Sequence, residues 1–472
     1  MTDSVAVLLD RFAPATAEVW RAAVEKTLKG QTPESLISPG PDSLAIQPLY
    51  APRAKPRTFQ AGRGWRIGAD VGHPQPAKGA AAIGDAFAGG AETVIIAIDN
   101  TAGEGVEIGS AASMEAMLAD VPLDVSAIGL DAGFLGLEAA GWLSAAAKGS
   151  PRAPLAFHFD PLSAMARSGA SPGPIEAHLA AAADLAVELA ATHPAGSLFL
   201  ASGRVVHEAG GSPAGELAFA LASALAYAKA MGQAGLASQD ALERIVVGLS
   251  IDGDPLISIA KLRAARMIWG RMSQACGASL PARIEARSSR RMLTRADAWT
   301  NLVRLTAAGV AGAVGGADTI VLGAFTDALG APTAFGRRMA RNIQLILRHE
   351  GQLGAVSDPV AGSGAFESLS GDLARAAWAK FNAIEAAGGA AAALAQGVIA
   401  AEVGEAKAKL AAGIAEGAMR IVGVTDYRAP DDRPAPVEAV KRTRRAAPEP
   451  RLPGSDSRCS PLGAITLEAL AA

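Results

Sequence analysis

Ser197-Leu198-Phe199-Leu200, a long Ala-rich stretch, and then Ile245-Val246-Val247-Gly248-Leu249 decide how the chain folds. Each flanking run is short, apolar and rich in β-branched or aromatic residues, the signature of a strand, and the stretch between them has the length and composition of helix. Working outward, similar runs stand at 65–69, 93–98, 126–130, 155–159, 283–286 and 319–322, separated by further Ala-rich helical stretches. About eight strands alternating with helices is the count that closes a parallel barrel of roughly 250 residues or more. The expected fold class is therefore α/β, a (β/α)8 TIM barrel. The helical pieces suit that role. After Pro332-Thr333, residues Phe335, Met339, Ile343 and Leu347 recur at each turn as one apolar stripe, with Arg337, Arg338, Arg341 and Arg348 off it and Gly351 to stop the helix. An open doubly wound sheet would instead call for a Gly-rich dinucleotide loop after the first strand, and none is present.

Composition bounds the partners. Half of the 472 residues are hydrophobic and 19% are charged, enough for one large core with a small satellite. A net charge of -3 with interspersed signs offers no basic stripe to nucleic acid and no cationic face to a membrane. Cys276 and Cys459 are the only cysteines and suggest neither a disulfide framework nor a zinc site, which fits a reducing compartment. The first ten residues lack a signal-peptide pattern and no later stretch has the length and apolarity of a membrane span, so a cytoplasmic location is expected. Three zones follow: an N-terminal helical arm at 1–50, with Ala17, Trp20, Ala23, Val24 and Leu28 on one helix face; the barrel at 51–428; and a tail at 429–472. The tail is rich in Pro, Arg, Glu and Asp to residue 460 and is expected to be flexible, with a short helix only around Ile465-Thr466-Leu467-Glu468-Ala469-Leu470.

In a barrel of this kind the chemistry sits where strands end. Those positions hold Asp70, Asn100, Asp131, Asp160, Ser202 with Gly203 and Arg204, Ser250 with Asp252, Arg287 and Gly323. Several carboxylates on one rim could serve a metal or acid–base chemistry, but Asp commonly caps the helix that follows a short loop, and Asp160-Pro161 and Asp358-Pro359 have that form. The histidines are scattered without metal-ligand spacing. His158 lies in a strand and reads as a packed core residue. His207, in Arg204-Val205-Val206-His207-Glu208-Ala209-Gly210-Gly211, stands either at an active-site mouth or in a solvated loop. The Gly-rich pieces at 315–316, 362–364 and 388–389 lack the Gly-Lys-Ser/Thr of a P-loop, and no nucleophile elbow is visible.

A further set of residues is more specific. Trp20, Leu28-Lys29-Gly30, Pro48-Leu49-Tyr50, Gly64-Trp65, Ala260-Lys261-Leu262-Arg263-Ala264-Ala265-Arg266-Met267-Ile268-Trp269, Asn301-Leu302-Val303-Arg304, Gly315-Gly316, Ala340-Arg341-Asn342-Ile343-Gln344, Asp358-Pro359 and Gly423-Val424 occur in one order along the chain. In this order they resemble the barrel of coenzyme B12-dependent methylmalonyl-CoA mutases from about residue 12 to residue 428. The positions that would carry chemistry depart from that resemblance. Where catalytic members read Trp-Thr-Ile-Arg-Gln-Tyr, this chain has Trp65-Arg66-Ile67-Gly68-Ala69-Asp70, without the Arg and Tyr that reach the acyl-CoA. Their Ser-Gly-Tyr-His-Met-Gln-Glu-Ala-Gly is matched by residues 202–210, which puts Val205 in place of the substrate-contacting His. Their eighth-strand Leu-His-Thr-Asn becomes Ile320-Val321-Leu322-Gly323. Their Arg-Thr-His-x-Gln-x-Ser-Gly keeps Arg283 and otherwise becomes Ile284-Glu285-Ala286-Arg287-Ser288-Ser289-Arg290. Neither the Arg-Gly-Pro-Tyr approach segment nor the Asp-x-His-x-x-Gly cobalt-ligand motif occurs.

Losing placed polar groups removes orientation and transition-state stabilisation together. The resemblance thus implies a small, non-catalytic subunit of methylmalonyl-CoA mutase without a cobalamin-binding domain, partnered as a heterodimer with the catalytic large subunit. It implies adenosylcobalamin bound by the complex and not by this chain, no catalytic residues here, and Arg283 and His207 as the contacts left for an acyl-CoA. Two other readings stay open: an active acyl-CoA mutase barrel served by a cobalamin domain on a separate chain, and a stand-alone acyl-CoA-binding or regulatory protein. An open polar barrel axis favours the former of these; apolar plugging of the axis by residues such as Val205 and Val321 favours the non-catalytic subunit.

Overall fold

A computed structural model describes residues 16–53, 55–59, 64–98, 105–431, 433–440 and 450–471. Asn100, the first fifteen residues and 441–449 lie outside the described residues. Eight parallel strands close into a barrel: β1 Arg66–Val71, β2 Thr93–Ala97, β3 Ala127–Asp131, β4 Ala156–Phe159, β5 Ser197–Ser202, β6 Ile245–Ile251, β7 Ile284–Ser288 and β8 Thr319–Val321, with β8 paired to β1. The expected (β/α)8 barrel is therefore the fold, with each strand displaced by only one or two residues. β5 and β6 run on to Ser202 and Ile251 because Ser202 and Ser250 interrupt the apolar pattern without interrupting the ladder.

Register fixes what faces the axis. Asp70 pairs with Ile95 and Ile95 with Gly129, while Arg287 pairs with both Ser250 and Val321. Partners level with one another in a parallel sheet share a face, and alternate residues along each strand repeat it. Two glycines make room there. A Cβ at Gly68 would stand 2.6 Å from Val321 Cγ2, and one at Gly129 would stand 2.6 Å from Ile95 Cδ1. Ile95, Leu200, Val246 and Val321 are all buried. The outer faces of the strands pack on long helices such as Pro213–Gln233 and Pro255–Ala275 in one contiguous apolar core.

The arm begins with helix Ala17–Thr27, capped by Thr16 and burying none of its residues. Beyond it, Ser38–Pro39 and Ala45–Ile46 form a small antiparallel ribbon. The tail differs from the expectation of a flexible segment over its described stretch 450–471. Leu452, Cys459 and Leu462 donate backbone N–H groups to the carbonyls of Pro172, Gly169 and Ala166, at 3.0, 2.9 and 2.8 Å. Ile465 and Leu467 donate to Glu208 and Arg291, each at 2.8 Å, before the terminal helix Leu467–Ala471. The segment is a strap over the loops that follow β4, β5 and β7. Its composition hides this because backbone groups and two buried leucines, Leu462 and Leu467, not an apolar stripe, hold it down.

No helix among the described residues is long and apolar enough to cross a membrane.

Candidate functional site

Three of the rim residues meet inside the barrel. Arg287, on β7, reaches Asp70 on β1 at 3.3 Å and Asp131 on β3 at 3.4 Å, so its side chain crosses the axis. Its Nε donates to Glu285 Oε1 at 2.7 Å, and the other Glu285 oxygen lies 3.9 Å from His158 Nε2. His158 takes a positive φ of 53° where the β4 register shifts, which turns a strand residue into this cluster. Burial would raise the Asp131 carboxyl, but the charges of Arg287, Arg167 and Arg204 outweigh it and hold the group at about 2. Burial also works against the charge on Arg287, yet Glu285, Asp70 and Asp131 keep it protonated above the usual arginine range. One guanidinium therefore links carboxylates from three strands across the barrel axis, with Arg167 and Arg204 adding positive charge near Asp131.

A second buried cluster lies beside the first. Glu216, in the first turn of helix Pro213–Gln233, accepts the Ser250 N–H at 2.5 Å and the Lys261 ammonium at 2.5 Å. His207 Nδ1 lies 3.5 Å from the same carboxylate, and its Nε2 is 2.8 Å from Ser289 Oγ. Burial pushes the His207 ring below the usual histidine range, with Arg291 adding to the effect and Glu216 opposing it. Burial disfavours the Glu216 carboxylate too, but Lys261 and His207 hold it far below the usual range. His207 is thus on a short helix, Arg204–Glu208, and is 1% exposed: neither an open mouth position nor a solvated loop.

The remaining expected positions separate. Arg283 lies at the N-terminal rim, opposite the strap, where Nη1 donates to the Glu243 carbonyl at 3.3 Å. Asp252 faces Arg291 at 3.6 Å. Gly323 donates its N–H to Ser288 Oγ at 2.8 Å. Val321 faces the axis, while Val205 is buried in the main core. Asp160 caps helix Pro161–Ser168 as expected, accepting the Ser163 N–H at 3.2 Å. Asp358 does not cap a helix. At φ 46° it accepts the Phe59 N–H at 3.0 Å and pairs with Arg263, and the next helix, Gly364–Ala386, starts later. Arg263 also bonds Glu367 at 2.8 Å, which ties residues 57–59 to the barrel wall.

Asp160 gives a pH test. Burial pushes its carboxyl up to about 7, although Tyr227 OH donates to it at 2.5 Å. Between the unfolded value near 4 and that folded value, the native state holds a proton the unfolded chain has lost, so this group's contribution falls as pH rises through the interval. Asp160→Asn is expected to flatten the slope and to be more stable than the parent at pH 8 by about 1 kcal/mol in urea denaturation. Identical pH slopes for the two proteins would refute the assignment.

Glu285, Glu216 and Lys261 were not among the sequence-expected site residues. Lys261 lies within the run that carries the resemblance, and a charge flanked by apolar residues on a core helix was the available signal.

Comparison with known proteins agrees with the geometry. A family profile described as methylmalonyl-CoA mutase matches residues 96–452. The chain is 32% identical to a methylmalonyl-CoA mutase small subunit of Streptomyces virginiae, over 97% of its own length and 79% of the relative's. It is 37% identical to a probable small subunit of Mycobacterium bovis over 57% of its length and 43% of that protein's, and 28% identical to a small subunit of Propionibacterium freudenreichii subsp. shermanii over 82% and 65%. A profile covering most of the chain and a relative aligned along nearly all of it show that the chain belongs to the methylmalonyl-CoA mutase family.

Proposed function

We propose that this chain is a non-catalytic small subunit that pairs with, and stabilises, the catalytic large subunit of an adenosylcobalamin-dependent methylmalonyl-CoA mutase. The observation that carries the proposal is the Arg287 side chain lying across the axis, held by Glu285, Asp70 and Asp131 where catalytic members place substrate-contacting groups. A passing acyl-CoA would have to displace an arginine whose buried partner is Glu285, and separating that buried pair costs several kcal/mol, while Asp70 and Asp131 stand on the solvent-accessible side of the cluster. The expected axis-filling Val321 contributes beside it.

The residues present do not fit the cobalamin cofactor. Of the six histidines, His73, His158, His178, His193 and His207 are buried, and exposed His349 follows helix Ala334–Leu345 near the N-terminal end of β1, away from the strap. None offers a ring nitrogen to a cobalt at the mouth. The cofactor therefore belongs to the partner in this proposal. His207 acts as a buried structural residue, and Arg283 is the remaining group through which a CoA could be held, at the opposite rim.

The arm supports the interface. Its helix is unburied, and Val19, Leu36 and Leu49 expose apolar side chains at 58%, 38% and 47%. Such a surface is suited to a subunit contact.

The test is co-expression with the large subunit from the same genome, followed by methylmalonyl-CoA isomerisation with adenosylcobalamin for each chain and for the pair. Co-purification, with no turnover by this chain alone, is expected. Turnover by this chain on adding only a separate cobalamin domain would overturn the proposal and make the barrel itself the enzyme.

A further inference from the structure

A cavity of about 370 Å³ opens away from the axis, lined by His73, Lys78, Ala82, Asp85, Arg337 and Glu438 among others. It sits where helix Pro76–Ala88 begins, beside helix Ala334–Leu345. Neither the ion clusters of the barrel nor the proposed subunit role uses it.

His73 sets its polarity. The Gln75 backbone N–H donates to His73 Nδ1 at 3.1 Å, so the proton of the neutral ring is on Nε2. That Nε2 is buried and has no hydrogen-bond partner among the described residues. Its ion-pair neighbour, Glu438 Oε2, stands 3.7 Å away, and the same oxygen is 3.9 Å from Lys78 Nζ. Among the described residues only Arg337 reaches the Glu438 side chain at hydrogen-bond distance, 3.2 Å to Oε1, while its other terminal nitrogen is anchored on the Pro332 carbonyl at 2.6 Å. Three donors thus converge on a carboxylate that satisfies one of them.

Glu438 belongs to the tail. It is held there by its own N–H to the Ala331 carbonyl at 2.9 Å and by the bridge between Val437 and Pro332. A carboxylate has two oxygens in one plane; a tetrahedral phosphate presents three and can span donors that a carboxylate leaves apart. The alanine wall of Ala81 and Ala82 accepts an apolar body beside it.

We propose that this cavity binds the phosphate of a small phosphate monoester with an uncharged body, with His73, Lys78 and Arg337 as donors. Glu438 is the built-in competitor that such a ligand displaces.

The test uses the full chain, with phenyl phosphate, inorganic phosphate and benzoate as probes in titration calorimetry. Glu438→Gln is expected to bind phenyl phosphate about tenfold more tightly than the parent, because the competing state is removed. Phenyl phosphate should bind more tightly than inorganic phosphate and shift the His73 Nε2–H proton resonance, and Arg337→Gln in the Glu438→Gln background should abolish binding. Equal affinity of parent and Glu438→Gln, binding that survives Arg337→Gln, or benzoate binding as tightly as phenyl phosphate would each overturn the proposal. The His73 resonance in the unsubstituted protein gives an independent readout if a variant fails to fold.

Discussion

Arg287→Met is expected to lower the free energy of unfolding by about 3 kcal/mol at pH 7, the usual consequence of leaving one partner of a buried ion pair, here Glu285, without its counter-charge. The substitution keeps most of the volume and removes the guanidinium that, among the described residues, touches Glu285, Asp70 and Asp131 together. Three carboxylates would then stand near one another without that counter-charge, and His158, 3.9 Å from Glu285, becomes a cation only on protonation. Urea denaturation measures the loss. The pH dependence checks its cause. In the parent the folded Asp131 is held at about 2, below its unfolded value, so its contribution is present above pH 4 and fades as pH falls toward 2. The variant lacks that depression, and the gap between the two proteins should narrow on acidification. Replacing Glu285 as well should recover part of the stability, since an apolar pair of similar volume needs no compensation. A single variant within 1 kcal/mol of the parent, or a double variant worse than the single, would show that the axis cluster is not what holds the mouth.

The second large effect is expected at Lys261. Its ammonium is 2% exposed and bonds a Glu216 carboxylate that is wholly buried, so Lys261→Met leaves that charge with His207 as its remaining cationic partner. The expected loss is about 3–5 kcal/mol. A ring effect should accompany it. With one repelling cation gone and Glu216 unpaired, the imidazole of His207 should take up a proton at higher pH than in the parent, which a histidine proton resonance followed through titration would report. Adding Glu216→Gln should return the ring to its original behaviour. If Lys261→Met melts like the parent and leaves the His207 titration unchanged, the two residues are not coupled as the distances imply.

The strands were legible because each is a short apolar run between helical stretches, and such runs carry their own signal. Their partners were not. Asp70, Asp131 and Arg287 stood out as strand-end residues, but that one arginine serves both carboxylates depends on closure of the sheet, which brings β7 opposite β3. His207 was visible only as a histidine after β5. Its burial comes from Ser289, 82 residues away, and from Glu216 on the next helix. Asp358 misled because Asp-Pro has the form of a cap, whereas a backbone turned to φ 46° aims the carboxylate at Phe59, 299 residues earlier. Local chemistry was read correctly where the contact was local, as at Asp160, and not where the partner came from a distant turn.

The strap also sets an order of assembly. Its Asp456 and Ser457 bond Gly173 and Ile175 across 283 and 282 residues of intervening chain. During synthesis the loops after β4 and β5 are made long before the segment that covers them. A nascent chain must therefore carry an uncovered rim through most of its translation, and local contacts cannot hasten a closure of such long sequence separation. Whatever must reach that rim, chaperone or partner subunit, has its widest access while the protein is still on the ribosome.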